Sequence, residues 1–288
     1  VHLKRCIDSL TRCIHAEKTD LFVALDYPLK EEHWDGYEKI REYLKTVTGF
    51  KSLNIIERDV NFGASKNIRD ARETIYQIYD RMILSEDDNE FSVNFLDYMN
   101  KCLEKFKNEH RVLAICGHAR MVTIPSSYQA NYYYGRGFSA WGYASWKDRM
   151  GKRDYGPEDL KAYIGQPELQ RKLKYYHPEL LLAVKRSIET EKIIYGDGAR
   201  VLNMIRNEQF CVFPTISKVR NHGHDGTGIH SGAMKNSPFK KVLLDPNPIF
   251  EFMGTAIIND PMIEEILRRY RIPGNRFARS AKEFLRRN

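Results

Sequence analysis

The sequence predicts an α/β fold with a mostly parallel sheet flanked by helices, and three observations lead there. Apolar spacing switches between the run of a buried strand and the period of an amphipathic helix four times within the first 120 residues. The strand-like runs are continuously apolar, as expected of strands covered on both faces. Asp26, Arg58 and the run Glu86-Asp87-Asp88 fall where those runs end, and sheets of this kind place ligands beyond the carboxyl ends of their strands.

Leu3, Ile7, Leu10 and Ile14 share one helical face, and Asp20 to Asp26 (DLFVALD) follows as a buried strand ending in a carboxylate. Tyr37, Ile40, Leu44 and Val47 mark a second helix, and Leu53 to Ile56 a second strand. A third helix is predicted from about Ala64 to Tyr79, then a strand at Arg81–Ser85, a helix at Asn94–Lys107 and a strand at Arg111–Cys116. From Asn131 the texture changes, with Tyr132, Tyr133, Tyr134, Phe138, Trp141, Tyr143 and Trp146 interleaved with glycines. Helices near Pro157–Ile164, Pro167–Tyr175 and Pro178–Ile193 each carry proline at or near the start. A short helix from Asp197, a strand at Phe210–Phe213 and a polar loop at Asn221–Gly232 follow. The last turns place Phe277, Ala281, Phe284 and Leu285 on one face and arginines on the other.

Composition excludes several classes. The 288 residues are 42% hydrophobic, yet no stretch approaches the roughly 20 apolar residues of a membrane span. Five scattered cysteines without a CxxC pair argue against a disulfide framework or structural zinc and for reduced thiols, as in the cytoplasm. Of the formal charge of +8, the segment from Pro261 carries eight Lys/Arg against three Asp/Glu, hence +5. A body this mildly basic is not a nucleic-acid surface, whereas the cationic tail suits peripheral contact with an anionic membrane or a packed helix with solvated charges.

Three adjacent carboxylates at a strand end repel one another unless a cation or hydrogen-bond donors compensate. Hard oxygen ligands suit Mg²⁺ or Mn²⁺, but an acidic helix cap would use the same residue types, through Asp88 or Ser92. Asp197 admits the same pair of readings, as a helix N-cap or as a general base. His222, His224, Asp225 and His230 could form a zinc site, although the HxHxDH pattern of metal hydrolases is not met.

RDVNFG at Arg58–Gly63, the pair Lys66-Asn67, ILSEDD and FSVNFLDYMN resemble the donor half of GT-A fold glycosyltransferases. The likeness is to family-2-type enzymes of bacterial surface polysaccharides and the N-acetylglucosaminyltransferase I group. It implies a GT-A, Rossmann-like sheet with a C-terminal helical tail: residues 1–120 as the nucleotide-sugar donor half, 121–232 as the acceptor and catalytic half, and 233–288 as a basic tail. It further implies Asp88 as metal ligand, with Glu86 and Asp87 near the ribose and diphosphate. Asp26, Arg58, Asn61, Gly63 and Lys66 would lie at the donor. SAWGYASWKDR resembles the segment between donor and acceptor, which assigns Trp141 and Gly142 to the acceptor. Asp197 would be the base, and NHGHDGTGIH makes His230 a further metal contact. The family opens with a nucleotide-binding strand ahead of the first helix. This sequence opens at that helix, so the strand is expected upstream of Val1 or the base site is built differently.

The expected activity is inverting, Mn²⁺- or Mg²⁺-dependent transfer of a sugar from a nucleoside-diphosphate sugar to an oligosaccharide or lipid-linked glycan. The expected location is cytoplasmic, at the inner face of the plasma membrane. The rival readings are a metal-dependent sugar nucleotidyltransferase or hydrolase, and a non-catalytic carbohydrate-binding protein.

Overall fold

The computed structural model describes residues 1–151, 154–226 and 237–270 and shows a mixed α/β protein. The first part runs α1 (His2–Thr11), β1 (Asp20–Leu25), α2 (Trp34–Lys45), β2 (Ser52–Glu57), α3 (Gly63–Ile75) and β3 (Arg81–Leu84). It continues through β4 (Asn89–Phe91), α4 (Phe95–Lys105), β5 (Val112–Cys116), β6 (Tyr132–Gly135) and β7 (Tyr143–Trp146). The second part holds β8 (Asp154–Tyr155), α5 (Pro157–Ile164), α6 (Pro167–Tyr176), α7 (Pro178–Glu189), β9 (Ile194–Tyr195) and α8 (Gly196–Arg206). β10 (Phe210–Pro214), β11 (Val219–Asn221) and α9 (Pro261–Tyr270) close the order.

The central sheet has the order β3-β7-β5-β10-β6. β5 and β10 are parallel, and β3 runs with them because both β3 and β5 are antiparallel to β7. β6 is antiparallel to β10. The sheet is therefore mixed, which corrects the expectation of a mostly parallel one. The reason lies in the aromatic segment after Asn131, which supplies both opposing strands. All four residues of β7 are buried, as are Tyr132 and Tyr133 of β6. A strand covered on both faces loses the alternation that would reveal it. β1 and β2 form a separate parallel pair, in register from Asp20↔Ser52 to Leu25↔Glu57.

One face of the central sheet packs against α5 to α8 through Leu160, Tyr163, Leu173, Val184 and Leu202. The other packs against α4 through Phe95, Met99 and Leu103. A third core joins α1, α2 and β1 through Ile7, Val23, Leu25 and Leu44. Arg149 is buried and donates to the carbonyls of Phe106, Glu109 and Val112 at 3.0–3.1 Å, while its guanidinium lies 3.6 Å from the Trp146 ring centroid. Trp146 thus belongs to the core.

The expected helical tail from residue 233 is mostly not helical over its described part. After a short turn at Pro238–Lys241 the chain becomes an irregular strap, and only α9 is a regular helix. The strap is tied to the core by the buried Lys218–Asp245 ion pair, by Asn94 donating to Asp245 at 2.9 Å, and by the Phe250 amide donating to Asp97 at 2.7 Å. A buried polar pair of this kind is sustained only when its other hydrogen bonds are met. Phe277, Ala281, Phe284 and Leu285 lie outside the described residues. Among the described residues no helix is long and apolar enough to cross a membrane.

Candidate functional site

β3 ends at Leu84, and the acidic residues occupy the turn between β3 and β4. Buried Asn89 pins that turn, donating to the Ser85 hydroxyl at 2.9 Å and the Glu86 carbonyl at 3.3 Å. β4 pairs antiparallel with β11, setting Asn89 opposite Asn221. That register delivers Asn221 Nδ2 to the Asp88 carboxylate at 2.7 Å, and the His222 amide to the Asp88 carbonyl at 2.8 Å. Asn221 is itself oriented by the Gly223 amide, which donates to its Oδ1 at 3.0 Å. Any β-carbon on residue 223 would lie 1.9 Å from Asp88 Oδ2, so only glycine lets the chain pass this carboxylate.

This geometry removes the helix-cap alternative for Asp88. β4 stands between it and α4, whose N-cap is Asn94. The same holds for Asp197: it lies in the first turn of α8, where the N-cap is Tyr195 and no side chain caps the helix. Asp197 keeps an exposed surface, while burial among protein atoms is the main force raising its carboxyl pKa. Arg200, Arg120 and a backbone hydrogen bond from Ala140 oppose that rise.

Three of the expected acids act on a fourth, Glu86. Burial pushes Glu86 up to about 7, assisted by the charges of Asp88, Asp197 and Asp87. Asp88 is also raised, by burial first and by Asp87, against the Asn221 hydrogen bond. The fold therefore brings a strand-end turn and a helix start, more than a hundred residues apart, into one electronegative group. Its donor set fits Mg²⁺ or Mn²⁺, which take one or two carboxylates together with phosphate oxygens and water. No group of three or more His, Cys, Asp or Glu side chains arranged for a metal occurs among the described residues. His230 lies outside them. The zinc alternative loses its members to different partners: His222 bonds Glu90 at 2.8 Å, Asp225 bonds His2 at 2.8 Å, and His224 stacks on Phe239.

The remaining expected donor residues form a cluster of their own at the carboxyl ends of β1 and β2. Asp26 accepts from the amides of Tyr27 and Phe62 at 2.9 and 2.8 Å, joining β1 to the start of α3. Asn61 donates to the Tyr27 carbonyl at 2.5 Å. Arg58 pairs with Asp70 at 2.6 Å and donates to Asn67 at 2.9 Å, and Lys66 sits 3.6 Å above the Phe62 ring. Gly63 opens α3 at φ +69°, a left-handed conformation that favours glycine. These contacts brace the loops that follow β1 and β2, while Asn61 and Lys66 stay exposed.

Trp141 is half-buried and forms an aromatic group with His118 (4.7 Å between centroids), Phe239 (4.9 Å) and His224 (5.7 Å). Burial lowers His118 to about 3, so it is neutral, and its Nε2 has no partner among the described residues. Gly142 is buried at φ +63° and its carbonyl accepts from the Gly117 amide at 2.7 Å. Its left-handed backbone turns the chain into β7.

Residues unread in the sequence complete the site. Arg120 donates to the Phe138 carbonyl at 3.1 Å, and Arg200 reaches the Tyr143 hydroxyl at 3.4 Å. Both are tied into the loop that carries Ala140 and Trp141. Asn221 and Gly223 stood in a run already noted for its histidines, but their tie to Asp88 depends on strand register. Comparison with protein-family models and with curated proteins returns no match for this chain.

Proposed function

We propose that the chain is a GT-A-type glycosyltransferase acting on a nucleoside-diphosphate sugar. The observation that carries this reading is that Asp88 and Asp197, from a strand-end turn and a helix start, both lie close enough for their charges to act on Glu86, with neither Asp88 nor Asp197 serving as a helix cap. The parallel β1–β2 pair ahead of an acid-tipped β3 is compatible with the donor half of such enzymes.

Asp88, oriented by Asn221, would hold a Mg²⁺ or Mn²⁺ ion, which supplies neutralising charge to a departing nucleoside diphosphate. Glu86 and Asp87 sit beside it as supporting contacts to bound water or ribose. Asp197 accepts the proton of the acceptor hydroxyl at its carboxylate as that oxygen attacks the anomeric carbon from the opposite side, giving inversion. The charges of Arg200 and Arg120 oppose the rise that burial imposes on the Asp197 pKa. Trp141 offers an apolar ring face to the C–H surface of an acceptor sugar, within an oligosaccharide or a lipid-linked glycan.

The experiment is a panel of nucleotide sugars and sugar acceptors assayed for transfer in Mn²⁺, with Asp88→Ala and Asp197→Asn. Transfer should fall at least a hundredfold in each variant, with melting temperature retained. Near-wild-type turnover in Asp197→Asn would overturn the base assignment. Release of free sugar without any acceptor would favour a hydrolase, and sugar binding without turnover a carbohydrate-binding protein.

A further inference from the structure

Val1, His2, Arg5, His222, Asp225 and Lys240 line a cavity of about 460 Å³, within the range of small-molecule sites. It adjoins the acidic turn, because His222 is the residue whose amide holds the Asp88 carbonyl. Arg5 and Lys240 are half-buried, and neither forms an ion pair among the described residues. The acids nearby are already engaged. Asp225 meets His2 at 2.8 Å, and Glu90 meets His222 at 2.8 Å and Arg220 at 3.3 Å.

The two cations are firmly placed. Arg5 projects from α1, whose Cys6 and Ile7 are buried in the core. Lys240 sits on the short turn anchored by Phe239, which stacks on His224 at 4.7 Å and meets the Trp141 ring edge-on at 4.9 Å. Asp225 lines the same cavity and Arg5 lies near enough to lower the Glu90 pKa, yet neither cation is neutralised by a direct ion pair among the described residues, so both remain open to a charge-assisted contact. Their natural complement is a ligand bearing several anionic oxygens, for which a planar guanidinium and a point-charge ammonium are both suited.

We infer that Arg5 and Lys240 form a phosphate-binding wall that grips a diphosphate group without the help of a metal. The location beside Asp88 is what makes the ligand a diphosphate, and in that respect the inference rests on the proposed function. The positive charge itself does not. Arg58, Lys66 and Arg136 do not line this cavity: Arg58 is paired with Asp70, Lys66 lies over Phe62, and Arg136 is buried between Tyr176 and Phe210.

The test is calorimetric titration of the full chain with inorganic pyrophosphate in EDTA. The wild type should bind, with affinity falling as salt is raised. Arg5→Gln and Lys240→Gln should each weaken binding roughly tenfold, the loss of one charge-assisted contact, with unchanged circular dichroism and melting temperature. Absence of wild-type binding in EDTA, or an unaltered Kd in the double variant, would overturn the inference. Because neither donor sugar nor metal enters this titration, its failure is distinct from failure of the transfer assay with Asp197→Asn.

Discussion

Asp88 and Gly223 constrain each other at the level of single atoms. The carboxylate needs Asn221 to orient it, and Asn221 is reached only if the following chain passes within van der Waals distance of Asp88. Gly223→Ala should displace the carboxylate, cost about 1–3 kcal/mol of stability and weaken Mn²⁺ binding, readable by urea unfolding and by Mn²⁺ titration. Glu86 makes a prediction about pH. Its folded-state pKa, about 7, lies above the ordinary 4.5, so the stability it contributes is fully present below about 4.5 and is lost as pH rises through 7. Glu86→Gln should flatten that fall, leaving the variant more stable than wild type at pH 8 without metal. A pH–Tm series of the two proteins decides it, and parallel curves would refute the assignment. Adjacent acids were plain in the sequence. Their partners were not, because Asn221 lies 133 residues from Asp88 and only the β4–β11 register reveals the pairing.

Of the nine elements from α1 to β5, all but β4 were legible because each carries an apolar run or stripe. α3 ends at Ile75 rather than near Tyr79, and β4 is only three residues long, too short for a periodic signal. β6 and β7 were hidden by their own burial: most of the aromatic residues after Asn131 became sheet core, while Tyr134 and Trp141 kept partly exposed rings. The strap carries the strongest elemental prediction. Lys218 is buried with Asp245 between the rings of Tyr98 and Phe250. Burial lowers the Lys218 pKa against the pull of Asp245, and Asp245 is lowered by its hydrogen bonds to Lys218, Asn247 and Asn94 despite burial. Asp245→Asn should cost about 3–5 kcal/mol by stranding the lysine, and the double variant Lys218→Met/Asp245→Leu should recover much of it. Denaturant unfolding of the three proteins tests this, and equal losses in single and double variants would show that the strap is held by its aromatic contacts instead.

For the whole molecule, the sequence pattern identified α/β architecture and the end of the sheet where charge gathers, but not strand direction. Direction depends on which runs become neighbours, and those choices are made by tertiary packing of segments far apart in the chain. The same separation explains why Arg5, Lys240, Arg120 and Arg200 carry no local signal: each is an ordinary basic residue until folding sets its neighbours. The candidate site is thus assembled from α1, the β3–β4 turn, the β6–β7 loop, α8 and the chain after β11.

The interior place of β10 in the sheet has a consequence for the order of events in the cell. β10 lies between β5 and β6 although it is the last of the five to be synthesised. A chain emerging from the ribosome cannot close this sheet until residue 214 is free. Until then the β5 edge that β10 will occupy is open, with Leu113, Ala114 and Ile115 uncovered and competent to pair with another nascent chain. The acids of the β3–β4 turn emerge long before the asparagine that orients them, so the candidate site comes into being late. Truncations ending before residue 214 should therefore aggregate rather than yield a partial, soluble domain.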